Sequence, residues 1–296
     1  MENNLQLTQW EKRCSCCCFQ FNFVTQINKF FCNHWECKFH VPFLVLSFIS
    51  ATYITFCFEY FYYLPHKSLK SFYTISAFFL LLIWSYFATI CEGPGYLPFY
   101  YPSMHPLRTD GSVDYLSGLA INENQEQYIK SHQLPTRTNF FHSTYRIVIR
   151  PDHYCNWIES FIGKRNQKLF LLVLVYGFCY SSLFFIHNLR AIYYIFKLQT
   201  FSPLMIISIL FLIISLIFEI YLFTEVLQQF IGIITNYTSF DRLKQQHFET
   251  SGCWQNIQEV FGSWKQIIFW PIPIGAFCFL DDYLLVDDLE KSKKQI

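Results

Sequence analysis

Four long stretches without a single charge constrain this chain more than any other feature. Residues 41–58, 71–91, 169–189 and 198–218 contain no Asp, Glu, Lys or Arg. A helix needs roughly 20 apolar residues to cross the hydrocarbon core of a bilayer, and all four stretches approach that length. One such run is compatible with a buried core helix; four in 296 residues read as membrane spans. Composition agrees, because only 15% of residues are charged, against about 25% in a water-soluble domain. The 35 phenylalanines and 20 tyrosines exclude a disordered chain. A net charge of +1 provides no global field for nucleic acid, which is excluded as a partner. The 12 cysteines are scattered along a long chain and fit reduced thiols better than a disulfide scaffold.

The expected fold is therefore an all-α polytopic membrane protein with four transmembrane helices. Four spans put both termini on one side of the bilayer. Of the 22 lysines and arginines, all but Lys67, Lys70, Arg190 and Lys197 fall in the N-terminal arm, between the second and third spans, or in the tail. The positive-inside rule assigns those three regions to the cytosol. The organisation that follows is a cytosolic arm (1–40), helices one and two (41–91), a cytosolic segment (92–168), helices three and four (169–234) and a cytosolic tail (235–296). With Glu2, Glu11, Lys12 and Arg13 ahead of the first apolar run, no cleavable signal peptide is expected. The fourth run resumes past Glu219 as far as residue 234, so its last turns should project beyond the bilayer. Residues 267–280 are apolar but hold Pro271 and Pro273, which forbid a regular fifth span; an interfacial or protein-packed segment is expected. Asn236-Tyr237-Thr238 matches a glycosylation sequon that this topology leaves unmodified.

Chemistry is expected in the segment between spans two and three. Asp152, His153 and Cys155 bring a carboxylate, an imidazole and a thiol together within four residues. A free thiol is only a few per cent thiolate at neutral pH, so a neighbouring imidazole raises its reactivity. Asp152 can orient His153, and His153 can take the proton of Cys155. Such a trio also arises by chance in an ordinary loop.

Further strings give the trio a context. Asp152-His153-Tyr154-Cys155 resembles the signature tetrad of the DHHC protein S-acyltransferases (palmitoyltransferases), in an Asp-His-Tyr-Cys form. Trp157 stands where that family has its Pro-Trp pair, with Asn156 in place of the proline. Gly163-Lys164-Arg165-Asn166 resembles the family's entry into the third span, and Gly93-Pro94-Gly95 its Asp-Pro-Gly motif. Thr238-Ser239-Phe240-Asp241 resembles the Thr-Thr-x-Glu motif after the fourth span, and Gly252 to Asn256 the C-terminal Asn-containing motif. Pro135 and Arg137 sit where the family has a Pro-x-Arg lead-in. The resemblance covers about residues 41 to 275.

The resemblance implies a two-step acyl transfer from palmitoyl-CoA through Cys155 to cysteines of membrane-proximal substrate proteins. His153 is then the general base and Asp152 its orienting carboxylate. Arg146, Arg150, Lys164, Arg165 and Lys168 are candidates for the CoA phosphates. Tyr180 and Ser181 lie about 21 Å along a third helix that starts near Asn166, and are expected at the far end of an acyl pocket. The implied location is an endomembrane (Golgi or endoplasmic reticulum) or the plasma membrane. One departure is large. The family's zinc-ligand positions fall on Gln127, Lys130, Phe140, Phe141, Thr144, Ile147, Tyr154 and Phe161, so zinc is expected to be absent and an apolar minicore to replace it. Each such side chain, when buried, contributes about 1.5–3 kcal/mol. The alternative is a catalytically silent membrane scaffold that binds client proteins. A transporter is disfavoured, since no repeat and no midplane ion site are visible. Cys14, Cys16, Cys17 and Cys18 are read as acylation acceptors, as metal ligands with Cys32, His34, Cys37 and His40, or as interfacial thiols.

Overall fold

In a computed structural model of the chain, the described residues are 10–16, 19–24, 29–32, 35–36, 40–65, 67–97, 137–141, 146–198, 203–248 and 252–277. The apolar runs form four helices: α1 (His40–Tyr62), α2 (Leu69–Glu92), α3 (Gln167–Lys197) and α4 (Pro203–Ile234). Each is long and apolar enough to cross a membrane. This is a multi-pass membrane protein. Leu, Ile and Phe dominate the helices, and the breaks between them follow simple rules. Ser68 caps α2 by accepting the N–H of Ser71, Gly93 ends it with a positive φ of 69°, and Pro203 opens α4 where its missing N–H costs nothing.

Two boundaries differ from the sequence reading. The third span was expected to end at residue 189 and the fourth to begin at 198. Instead α3 continues through Arg190 to Lys197, Leu198 caps it, and α4 starts at Pro203. Both basic side chains are exposed, so they need not enter hydrocarbon, and a charge-free criterion truncates the helix where a long cation can reach water. With 31 and 32 residues, α3 and α4 are each about 47 Å long, well beyond the ~30 Å hydrocarbon core. α3 is the centre of the bundle, packed on α2 and α4 and more than half buried over its apolar window, whereas α4 turns most of its own outward.

The fold is mostly helical, but short strands accompany the helices. Backbone pairing gives an antiparallel sheet in the N-terminal arm, β1 (Trp10–Cys16), β2 (Phe19–Val24), β3 (Lys29–Cys32) and β4 (Trp35–Glu36), in sequence order. Between α2 and α3 lie two hairpins, β5 (Thr138–Phe141) with β6 (Arg146–Ile149), and β7 (His153–Cys155) with β8 (Ser160–Ile162).

Close backbone approach locks the hairpins onto the helices. A Cβ on Gly163 would stand 2.6 Å from the Pro94 carbonyl oxygen and 3.0 Å from that of Ile149, so only glycine fits there. Asn166 completes the joint: its side-chain oxygen accepts the Gly163 N–H (2.9 Å), and its amide donates to the Phe161 carbonyl (3.1 Å). Gly95, at φ 85°, lets its carbonyl accept the Ile149 N–H at 3.0 Å.

Past α4 the chain reverses at Asn236 (φ 52°) into α5 (Ser239–Lys244), which Thr238 and Asp241 begin with a capping box. α6 (Cys253–Phe261) is tied to the end of α4 by Asn256, whose amide donates to the Ile234 carbonyl at 2.7 Å. Beyond a 3₁₀ turn (Trp264–Phe269) the proline-containing segment lies on α3, where Lys168 donates to the carbonyls of Phe269 and Ile274, each at 2.8 Å.

Candidate functional site

The second hairpin presents the thiol. Cys155 ends β7, and its carbonyl accepts the Ile158 N–H to start a turn into β8. Tyr86 of α2 holds that turn by donating its hydroxyl to the Trp157 carbonyl (2.7 Å). Cys155 is buried among Ile158, Ile162, Phe170 and Leu174. Three residues named from sequence are thus brought together: His153 and Cys155 line the same cavity, and His153 Nδ1 donates to Asp152 Oδ2 at 2.9 Å. Phe170 packs edge-on against the imidazole, 5.1 Å between ring centres.

Asp152 is buried yet fully supplied with donors. Beside His153, the side-chain amide of Gln229 on α4 donates to Oδ2 (2.7 Å), and the backbone N–H of Ser239 donates to Oδ1 (2.7 Å). Burial alone would raise its pKa; the hydrogen bond and charge of His153, with the other donors, instead hold it to about 2. Burial alone would lower His153. The hydrogen bond and charge of Asp152, with the neighbouring Cys155, push it up to about 10. The imidazole therefore keeps its proton at neutral pH beside the sulfur.

The polar groups after α4 reach the same loop. Thr238 donates its hydroxyl to the Pro151 carbonyl (3.1 Å) while also capping α5, so anchoring and capping coexist in one side chain. Asp241 accepts from Arg137 and from the Thr238 N–H. Asn236, the sequon asparagine, is buried and accepts from Arg137 (2.7 Å) and Arg150 (3.0 Å).

The basic residues offered to CoA phosphates take other roles. Arg150 is 1% exposed beneath the loop, against Asn236 and near Glu259. Burial and the charge of Arg137 lower its pKa to about 10, so it remains a cation engaged internally. Arg165 donates to Glu92 (2.9 Å) and to the Phe277 carbonyl (2.8 Å), and the Lys164 ammonium lies 5.2 Å from the Phe277 ring centre. Arg150, Lys164, Arg165 and Lys168 are all buried and turned to protein partners. The positive-inside signal does not distinguish a surface cation from one that ties loops together.

An apolar cavity of about 560 Å³ runs from Cys155 and His153 into the helix bundle. Tyr180, Ser181, Phe184 and Phe211 line its inner part, and α1 contributes Val45, Phe48, Ile49 and Thr52. Tyr180 and Thr52 hydrogen-bond across it at 3.0 Å. Gly177 also lines it, and a Cβ there would meet Leu222 at 3.5 Å and Leu82 at 3.6 Å, ordinary contact distance.

The zinc implied by the resemblance does not fit the ligand positions that lie among the described residues. Tyr154 faces Phe161 and Phe140 faces Ile147 across the two hairpins. Phe141 and Phe161 pack as a tilted pair with ring centres 4.1 Å apart, and Tyr154 meets Phe161 edge-on at 5.1 Å. Apart from the Tyr154 hydroxyl, these positions offer carbon where an ion needs donors. Gln127, Lys130 and Thr144 lie outside the described residues, as does the side chain of Arg146.

Comparison with known proteins follows the same lines. Residues 122–246 match the family model described as DHHC palmitoyltransferase. The "Palmitoyltransferase ZDHHC3-A" of Danio rerio is 27% identical over 224 residues, 68% of this chain and 65% of its own length. The "Probable protein S-acyltransferase 12" of Arabidopsis thaliana is 27% identical over 226 residues, 71% of this chain and 75% of its own. The "Palmitoyltransferase AKR1" of Debaryomyces hansenii is 31% identical over 134 residues, 45% of this chain but only 16% of its own. The match thus spans less than two thirds of the Danio rerio and Debaryomyces hansenii proteins.

Proposed function

We propose that this chain, which carries a DHHC palmitoyltransferase domain, is a membrane-embedded protein S-acyltransferase working through Cys155. The observation that carries this reading is a buried thiol and the Asp152-bound His153 imidazole lining one apolar cavity that reaches into the membrane helices. The Cys155 thiolate attacks the carbonyl carbon of a long-chain acyl-CoA, a new C–S bond forms, and the bond to the CoA sulfur breaks. His153 supplies the proton that the departing CoA thiolate takes. The acyl chain occupies the apolar cavity. In the second step a substrate-protein cysteine gives its proton to His153 and attacks the Cys155 thioester, which returns the Cys155 thiolate. Asp152 keeps the imidazole oriented and stabilises its charge. Palmitoyl-CoA is the reference donor, and acceptors are cysteines close to the membrane surface, with both termini and the hairpins on the cytosolic side.

Packing does here what coordination does elsewhere: the aromatic contacts of Phe141, Tyr154 and Phe161 hold the hairpins, and no zinc is required between residues 92 and 168. The test is incubation of purified protein with labelled palmitoyl-CoA. Hydroxylamine-sensitive label should appear on wild type and vanish in Cys155→Ser. A silent scaffold takes up no such label in either.

A further inference from the structure

Two adjacent glutamines interrupt the cytosolic turns of α4, and they face opposite ways. Gln228 is exposed, whereas Gln229 is 5% exposed. A buried amide is costly unless its hydrogen bonds are made, and Gln229 directs its amide N–H at Asp152 Oδ2, 2.7 Å away. That oxygen is the one that also accepts the His153 Nδ1–H. We infer that Gln229 is a positioning residue that sets the orientation of the Asp152–His153 pair from α4, an inference that rests on the proposed acyl transfer.

The geometry explains the choice of an amide. Asp152 is held by donors from three directions: the loop itself through His153, the backbone at the start of α5 through Ser239, and α4 through Gln229. Without Gln229 the carboxylate keeps His153 and one backbone N–H, and can tilt. A lysine or arginine there would donate as well, but its charge would compete with His153 for the carboxylate. Glutamine supplies a neutral donor, leaving the negative charge of Asp152 to the imidazolium. It also makes the thiol's activation depend on the register of α4 against the hairpin, so the membrane bundle and the catalytic loop are coupled through one side chain.

Glutamate at this position provides a discriminating variant, because a carboxyl group donates only while protonated. Beside Asp152 its pKa is raised, so the donor returns as the pH falls. Autoacylation of the full-length protein by labelled palmitoyl-CoA should be followed between about pH 6 and pH 8.5. Q229M should be slower by about ten- to a hundredfold throughout, with KM for palmitoyl-CoA little changed. Q229E should be as slow as Q229M at pH 8.5 and should regain about tenfold relative to wild type near pH 6. Wild-type rates in Q229M, or a Q229E profile that tracks Q229M at every pH, would overturn the inference. Thermal unfolding of the same proteins decides the contact independently of turnover. Q229E should gain stability relative to Q229M as the pH falls, and parallel curves would count against the hydrogen bond. Absence of label on the wild type together with a pH-dependent gain in Q229E would instead place the fault with the proposed acyl transfer.

Discussion

At the scale of single residues, the trio Asp152, His153 and Cys155 is legible because its members are neighbours in sequence. Their charge state is not legible, because it depends on burial and on donors from distant segments. The sequence alone suggests a neutral base at His153; the buried carboxylate of Asp152 instead raises its pKa to about 10, so the ring holds its proton beside Cys155 at neutral pH. The pH dependence of stability follows with definite signs. A raised folded-state pKa means that the His153 contribution is fully present below its ordinary value of 6.5 and is lost as pH rises toward about 10. The depressed Asp152 contributes fully above its ordinary 3.8 and loses that contribution as pH falls toward about 2. The thermal midpoint should therefore decline on the alkaline side from about pH 6.5 upward. His153→Phe should remove most of that slope; an unchanged slope would assign it to other groups. Gln229 was the functional residue the sequence did not single out. The signal available was a polar pair among the apolar last turns of the helix, but its two members cannot be told apart before the helix phase is known.

At the scale of elements, long helices are easy to read and short hairpins are not. A span announces itself through some 20 uncharged residues, whereas β5 to β8 hold three or four residues each and leave no period to detect. Their pairing nonetheless explains the departure at the zinc positions. Aligned ligand sites become cross-strand neighbours, Tyr154 with Phe161 and Phe140 with Ile147. Aromatic pairs of this kind contribute about 0.5–1.5 kcal/mol beyond the area they bury. Phe161 is 5% exposed, so Phe161→Ala should destabilise the hairpins by about 3–5 kcal/mol. Phe141 is only partly buried, and Phe141→Ala should cost less. Both should slow acyl-enzyme formation with Cys155 intact, because a shift of about 1 Å at a reacting group costs on the order of a hundredfold. Chelators should leave labelling untouched. Loss of label on chelation, or two zinc ions per chain retained after the N-terminal arm is deleted, would refute packing as the substitute for metal.

At the scale of the whole molecule, the cavity is the feature that no single segment contains. All four helices and the β7–β8 turn line it, so it exists only when the bundle and the hairpin are assembled. Its far end was read from sequence as Tyr180 and Ser181 by counting along one helix. The structure adds a cross-bundle partner that such counting cannot supply, Thr52 on α1, 3.0 Å from the Tyr180 hydroxyl. Phe184, one helical turn beyond Tyr180 on α3, and Phe211 line the same cavity, so the Tyr180–Thr52 pair bridges it beside further apolar lining. An acyl chain that reaches this level must pass the bridge or stop at it. If it stops, Tyr180→Ala should shift donor preference from 16-carbon toward longer acyl-CoAs, and Thr52→Val should do so more weakly, since it breaks the bridge but keeps the ring. Competition between acyl-CoAs of different length for Cys155 measures this directly. Cavity shape, rather than stability, is then the variable, because removing a ring beside existing empty volume adds space continuous with it. A preference unchanged in both variants would move the length limit outward to Phe184 and Phe211, where the same competition with Phe184→Ala would locate it.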